Sequence, residues 1–178
     1  MNNVLRNRLM GFVLAIVIFA VDQYVKWLMI GPLRLNHIGH IDLLPFFDLT
    51  WTQNFGVSLG MFTATSMETR WILVAVTGLI ALVVFVWILR ERRLGDIAGL
   101  ALVLGGAAGN IRDRVEFGYV IDYADFHIGT FRPFLIFNIA DAAITIGVLI
   151  ILARSLFMGE KPSTPQSEAK ADKPAETN

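Results

Sequence analysis

Four blocks of consecutive apolar residues, at about 9–30, 69–89, 94–111 and 134–157, constrain this chain more than any other feature. Each is close to the roughly 20 residues that a helix needs to cross a bilayer core. A soluble domain would instead spread its apolar residues at helical or strand period around one core. Composition agrees: 55% of the residues are hydrophobic and 17% charged, against about 45–50% and about 25% in soluble domains. The fold class expected is an integral membrane protein, mainly α, with four transmembrane helices and a small extracytoplasmic β-rich amphipathic element.

The first block follows Arg6 and Arg8, as a secretory signal peptide would. No small-x-small cleavage site follows it, and the apolar run continues past Asp22 to Ile30, so it reads as a retained span. Asp22 and Lys26 stand four apart on one helical face. They are open to two readings, a paired charge at the interface with Lys26 snorkelling outward, or functional groups; on both they face protein rather than lipid. Gly31-Pro32 ends the helix. Residues 33–64 are too polar to span, and Phe47 to Thr52 alternates as a half-buried strand does. Asn54 reads as a substrate-binding amide or as a turn residue stabilising its own loop. Thr65-x-x-Glu68 fits a capping box opening the second span, and Asp96 suits the first turn of the third. Gly99, Gly105, Gly106 and Gly109 permit close helix approach. Residues 1–158 thus form one membrane domain, and 159–178, lacking large apolar residues, read as a disordered cytoplasmic tail.

Four spans put both termini on one side. Arg90, Arg92 and Arg93 between spans two and three, with Arg6, Arg8, Arg154 and Lys161, make that side cytoplasmic. Residues 31–68 and 112–133 then lie outside. A net charge of zero points to no nucleic-acid partner. The absence of cysteine excludes disulfides, a thiol nucleophile and thiolate metal sites. No HExxH spacing occurs; His37 and His40, three apart, are read as polar loop residues rather than a metal pair, so no metal or cofactor is expected.

Acids gather where the third and fourth blocks meet: Asp113, Asp122, Asp125 and Asp141, with Asn110 and Asn138 among them. Carboxylates at a membrane span are costly and mark function. Asp113, in Arg-Asp-Arg, reads as a partner of neighbouring arginines, and Asp125 as a solvated loop residue. Asp141, expected one to two turns inside the fourth span, has no cation in helical reach and needs tertiary partners. Were Asp122 and Asp141 to meet, two carboxyls in contact would share one proton, the ionised member activating water and the protonated one polarising an amide carbonyl.

Several separated motifs recur in order: Asp22-Gln-x-x-Lys26, Thr52-x-Asn54-x-Gly56, Gly105-Gly-Ala-x-Gly-Asn110-x-x-Asp113-Arg114, Gly118-x-Val-x-Asp122 and Phe137-Asn138-x-Ala140-Asp141. Together they resemble the bacterial lipoprotein signal peptidases, signal peptidase II, over nearly all of 9–157. The resemblance implies an aspartic endopeptidase of the inner membrane that cuts diacylglyceryl-modified prolipoproteins just before the lipidated cysteine. Asp122 and Asp141 match its catalytic pair, and Asn54, Asn110, Arg114, Asn138 and Ala140 match positions near the substrate. Asp22 and Lys26 match its polar pair, with Asp113 and Gly106 in support. The implied partners are lipidated prolipoproteins and membrane lipid, and the implied state is a monomer. Tyr119 and Tyr123 depart from the residues common at those places. Three rival readings remain on sequence: an ion- or proton-coupled transporter using the intramembrane carboxylates, a non-enzymatic scaffold, and a presenilin-type protease. The last lacks its Gly-x-Gly-Asp signature here, Leu94-Gly-Asp96 being the nearest match.

Overall fold

The computed structural model of the protein describes residues 2–56 and 67–158. The capping box expected at Thr65, the end of the 33–64 element and the tail from 159 lie outside the described residues. Four helices are long and apolar enough to cross a membrane: α1 (Asn3–Ile30), α3 (Met67–Arg90), α4 (Leu94–Glu116) and α5 (Ile139–Met158). The short α2 (Leu35–Ile38) and strands β1 (His40–Leu44) and β2 (Phe47–Asn54) follow α1, and β3 (Val120–Phe126) lies between α4 and α5.

Helix boundaries differ from the apolar blocks for identifiable reasons. The α1 helix starts six residues before the apolar run, where the Asn2 side chain accepts the Val4 N–H at 3.1 Å and caps the first turn. Five residues beyond its apolar block, α4 still continues, because its polar last turn is satisfied by an Arg112–Glu116 pair at 2.9 Å and by an Arg112 contact to Gln23. The fourth span begins at Ile139 rather than 134. Phe137 is held extended against β3, donating to the Ala124 carbonyl at 3.1 Å and accepting from the Ala124 N–H at 2.8 Å. Hydrophobicity marks where lipid can touch; hydrogen bonding decides where helix begins and ends.

Helix α4 is the centre of the bundle: over half of its apolar window is buried, against under a fifth for each of the other three. Its glycines allow this. A Cβ on Gly106 would stand 2.4 Å from the Ala140 carbonyl oxygen of α5, and one on Gly109 would stand 2.5 Å from Asp22 Oδ2 of α1. The other helices turn large apolar residues outward, among them Leu9, Ile16, Leu79, Leu82, Leu149 and Leu152, as lipid-facing surfaces do.

At one end of the bundle the 91–93 loop meets α1, with Arg8 Nε donating to the Glu91 carbonyl at 3.0 Å. Asp96, in the first turn of α4 as expected, also pairs with Arg154 of α5 at 2.6 Å. At the other end sits an antiparallel sheet in the order β1-β2-β3. The register sets Asp48 against Asp125 and Thr52 against Asp122, with an irregularity between Leu49 and Thr52. Leu49, Ile121, Tyr123 and Ala124 of the sheet form one buried apolar cluster with Met29 and Leu35. The alternation read at 47–52 is therefore a strand, and its third neighbour comes from beyond α4.

Candidate active site

The fourth span opens with a reciprocal cap. Asn138 Oδ1 accepts the Asp141 N–H at 2.9 Å, and Asp141 Oδ2 accepts the Asn138 N–H at 3.3 Å. Asn138 and Asp141 thus occupy the two positions of a capping box, with aspartate in the place usually held by glutamate or glutamine. Asp141 consequently lies in the first turn of α5, not one to two turns inside it. The sequence carried this signal in Asn138-x-x-Asp141, but it was masked by the apolar residues from Phe134 onward.

The same Asn138 reaches the strand. Its side-chain amide donates to Asp122 Oδ1 at 2.6 Å and to the Ile121 carbonyl at 3.1 Å. One residue therefore bonds both acids, through its side chain to Asp122 and its backbone to Asp141. Asn54 Nδ2 donates to Asp122 Oδ2 at 3.0 Å, while its Oδ1 accepts the Gly56 N–H at 2.8 Å. Asn54 therefore stabilises its own turn, as one of its two readings has it, and also bonds Asp122. Asn110 Nδ2 donates to Asp141 Oδ1 at 2.8 Å. Asp122 is buried. Burial first, and then the negative charge of Asp141, push its carboxyl up from 3.8 to about 7, against the pull of the Asn54 and Asn138 amides and Lys26.

Beneath these acids lies a buried ion cluster. Lys26 Nζ stands 2.9 Å from Asp22 and 2.7 Å from Asp113, all three fully or nearly fully buried, so Lys26 does not snorkel. Asp113 pairs with Lys26 and not with the arginines expected, because its helical position turns it inward while Arg112 reaches Glu116 and Gln23. Each acid then holds backbone: Asp22 Oδ1 accepts the Ala140 N–H at 3.0 Å, and Asp113 Oδ2 accepts the Ile121 N–H at 3.2 Å. Ala140 and Ile121 immediately precede Asp141 and Asp122. One lysine and its two acids thereby set the separation of the strand and the helix that carry the upper pair. Gln23 locks the cluster from the side, donating to Asp22 at 3.0 Å and Asp113 at 3.1 Å. Its role was missed on sequence because a glutamine beside a charged residue gives no signal by itself.

Asp125 also departs from expectation. It is buried on β3, where Arg132 Nε donates at 3.0 Å and the Thr50 hydroxyl at 3.0 Å. Burial pushes its carboxyl up, but the Arg132 and Thr50 hydrogen bonds outweigh this and hold it below the usual value. Arg114 extends from the last turn of α4, its Nη1 donating weakly to the Asn110 carbonyl at 3.4 Å. Its buried Nε has no hydrogen-bond partner among the described residues. A cavity of about 580 Å³ opens beside Asp122, walled by Asn54, Phe55, Arg132, Phe134 and Leu135. Every site residue expected from sequence lies in this region or in the cluster below it, with Gly106 packed against the Ala140 carbonyl.

Fold and site together define a polytopic membrane protein with two amide-bridged carboxylates at one end of its bundle, beside an apolar groove. The family model described as Signal peptidase (SPase) II matches residues 14–157. A "Lipoprotein signal peptidase" of Sphingopyxis alaskensis is 54% identical, over 91% of this chain and 94% of that protein. Another, of Rhizorhabdus wittichii, is 50% identical over 93% of this chain and 95% of its own length. A solved structure described as a bacterial membrane enzyme superposes with a TM-score of 0.72 at 27% identity, covering 85% of this chain and 94% of that one. The chain belongs to the signal peptidase II family and is a peptidase, which sets aside the transporter and scaffold readings.

Proposed function

We propose that the chain is a membrane aspartic endopeptidase that removes signal peptides from diacylglyceryl-modified prolipoproteins, cutting on the N-terminal side of the lipidated cysteine. The observation that carries this reading is the double hydrogen bonding of Asn138 to Asp122 and Asp141. It links the two carboxyls through one residue, which supports a shared role on one substrate bond.

In the mechanism we infer, Asp122 is the member of the pair that supplies a proton and Asp141 acts as the base. A negative charge in the first turn of α5 interacts favourably with the helix dipole, and burial and the neighbouring charge raise the Asp122 carboxyl to about 7. Asp141 takes a proton from a water while Asp122 donates its own toward the scissile carbonyl oxygen. The water oxygen adds to the carbonyl carbon, giving a tetrahedral diol. Its collapse breaks the C–N bond, the proton taken by Asp141 passes to the leaving nitrogen, and Asp122 recovers its own. The Nε of Arg114, without a hydrogen-bond partner among the described residues, is a candidate donor to a substrate carbonyl once substrate opens the site. Phe134 and Leu135, largely exposed beside the cavity, suit acyl chains that remain in lipid.

The positive-inside bias favours cytoplasmic termini, and so an active site near the outer surface where a signal peptide's cleavage point emerges. The oligomeric state we propose is a monomer. The test is cleavage by the purified chain in liposomes of one prolipoprotein with and without its diacylglyceryl group. Release of a signal peptide from the lipidated form, leaving an N-terminal lipidated cysteine, is expected. Equal cleavage of the unmodified form, or a cut elsewhere, would refute the substrate assignment.

A further inference from the structure

Away from the carboxylate pair, on the far end of the sheet, a second group of side chains converges. His40 of β1 approaches Asp42 Oδ1 at 2.9 Å and Asp48 Oδ2 at 3.6 Å through its Nε2. One donor atom each from His40, Asp42 and Asp48 lie within 4.8 Å of one another. The register makes this possible: Asp42 and Asp48 are cross-strand partners, and His40 faces Thr50 two positions along. His127, just after β3, brings its Nε2 to 2.8 Å from the same Asp48 oxygen. That nitrogen is buried and makes no hydrogen bond among the described residues, so the contact lacks hydrogen-bond geometry. Sequence spacing hid the group, because its members come from three segments; the pair weighed on spacing alone, His37 and His40, is not the one that converges.

The surroundings prepare these atoms for a metal. The Thr50 hydroxyl gives its one proton to Asp125 Oδ2 at 3.0 Å, so its oxygen, 2.8 Å from His40 Nδ1, must accept the Nδ1–H. The other ring nitrogen, Nε2, thereby faces the two carboxylates and is hydrogen-bonded to Asp42 Oδ1 at 2.9 Å. Such a bond on the non-ligating nitrogen is the usual means of orienting a metal-binding histidine. Asp48 is oriented similarly, its Oδ1 accepting the Leu43 N–H at 3.3 Å and leaving Oδ2 between the two rings. Metal–ligand bonds of about 2.0–2.2 Å in a tetrahedron place ligand atoms about 3.3–3.6 Å apart; His40 Nε2 stands 3.6 Å from Asp48 Oδ2 and 2.9 Å from Asp42 Oδ1, so a small outward turn of the exposed Asp42 admits an ion. Two carboxylates balance a doubly charged ion, and the imidazoles favour zinc over calcium or magnesium.

We propose that His40, Asp42 and Asp48 form a binding site for a divalent transition cation of the zinc type, with His127 standing beside Asp48. Its supporting residues run from Thr50 to Asp125 and on to Arg132, which lines the cavity beside Asp122. The ion ties β1 to β2 at the edge of the sheet.

The test is titration of the untagged, EDTA-stripped full chain in detergent with Zn2+, followed by calorimetry, and with Co2+, followed by visible absorption. One ion per chain is expected, with a Co2+ band of four- or five-coordinate nitrogen and oxygen ligation. Asp42→Asn, at a 91% exposed side chain that the fold does not need, is expected to weaken binding at least tenfold. His40→Ala abolishes it, and Thr50→Val weakens it about 10- to 100-fold. His37→Ala leaves it unchanged. No saturable binding of either ion would overturn the proposal, as would affinity unaltered by both His40→Ala and Asp42→Asn, or lost with His37→Ala.

Discussion

Replacing Asp122 by asparagine removes a charge that the folded protein holds only at a cost, and the size of that cost can be worked out. The carboxyl rises from 3.8 to about 7 on folding. The folded state therefore binds the extra proton between these values, and stability falls as pH rises through that window. Above it the penalty is complete, about 4 kcal/mol; at pH 5 it is only about 1.5 kcal/mol. Asparagine never ionises and escapes both. It keeps an oxygen for the Asn138 amide at 2.6 Å but turns an NH2 toward the Asn54 amide, which now donates at 3.0 Å. That mismatch costs about 1–3 kcal/mol and does not depend on pH. The difference between the two pH values is therefore the clean readout. Asp122→Asn should be more favourable at pH 8 than at pH 5 by about 2.5 kcal/mol, or several degrees in thermal unfolding in detergent. A change in unfolding temperature that is equal at the two pH values, or larger at pH 5, would refute the assignment of a raised carboxyl at Asp122.

Four further outcomes follow from the same contacts. The rate of cleavage should fall as pH rises through about 7, where Asp122 loses its proton; Asn54→Ala, which removes a bond favouring the ionised form, should move that limb upward in a pH–rate profile. Lys26→Met leaves Asp22 and Asp113 buried without their cation and should cost about 3–5 kcal/mol in thermal unfolding. The triple change with Asp22→Asn and Asp113→Asn should recover part of it. Gly106→Ala sets a methyl group 2.4 Å from the Ala140 oxygen and should cost about 1–3 kcal/mol, with a larger proportional loss of cleavage, since Ala140 adjoins Asp141. Arg132→Ala, at the cavity wall, should raise KM severalfold in a cleavage assay and cost about 1–3 kcal/mol in thermal unfolding, because it leaves buried Asp125 with the Thr50 hydroxyl in place of its ion pair.

The spans could be read from the sequence because lipid imposes a length and a composition on any helix that crosses it. Their ends could not, because a cap such as Asn138–Asp141 or a polar last turn such as Arg112–Glu116 is written in polar residues. The strand at 47–52 was visible in its alternation, whereas its pairing with β3 depends on a register that no local pattern encodes. The residues of the candidate site were legible as separated motifs. What each one touches was not: Asp113 next to two arginines bonds a lysine 87 positions earlier, and Asp125 in a loop-like stretch is buried against Arg132. A buried acid is placed by tertiary contacts, and the sequence around it says only that a partner is needed.

The central claim, that Asp122 and Asp141 together carry the cleavage, is tested most directly by single-turnover cleavage of a lipidated prolipoprotein. The wild-type chain, Asp122→Asn and Asp141→Asn would be compared, each shown to be folded and to bind substrate. The account predicts that both variants hold the substrate and release no signal peptide. Cleavage by either folded variant at near the wild-type rate would make that aspartate structural and contradict the account.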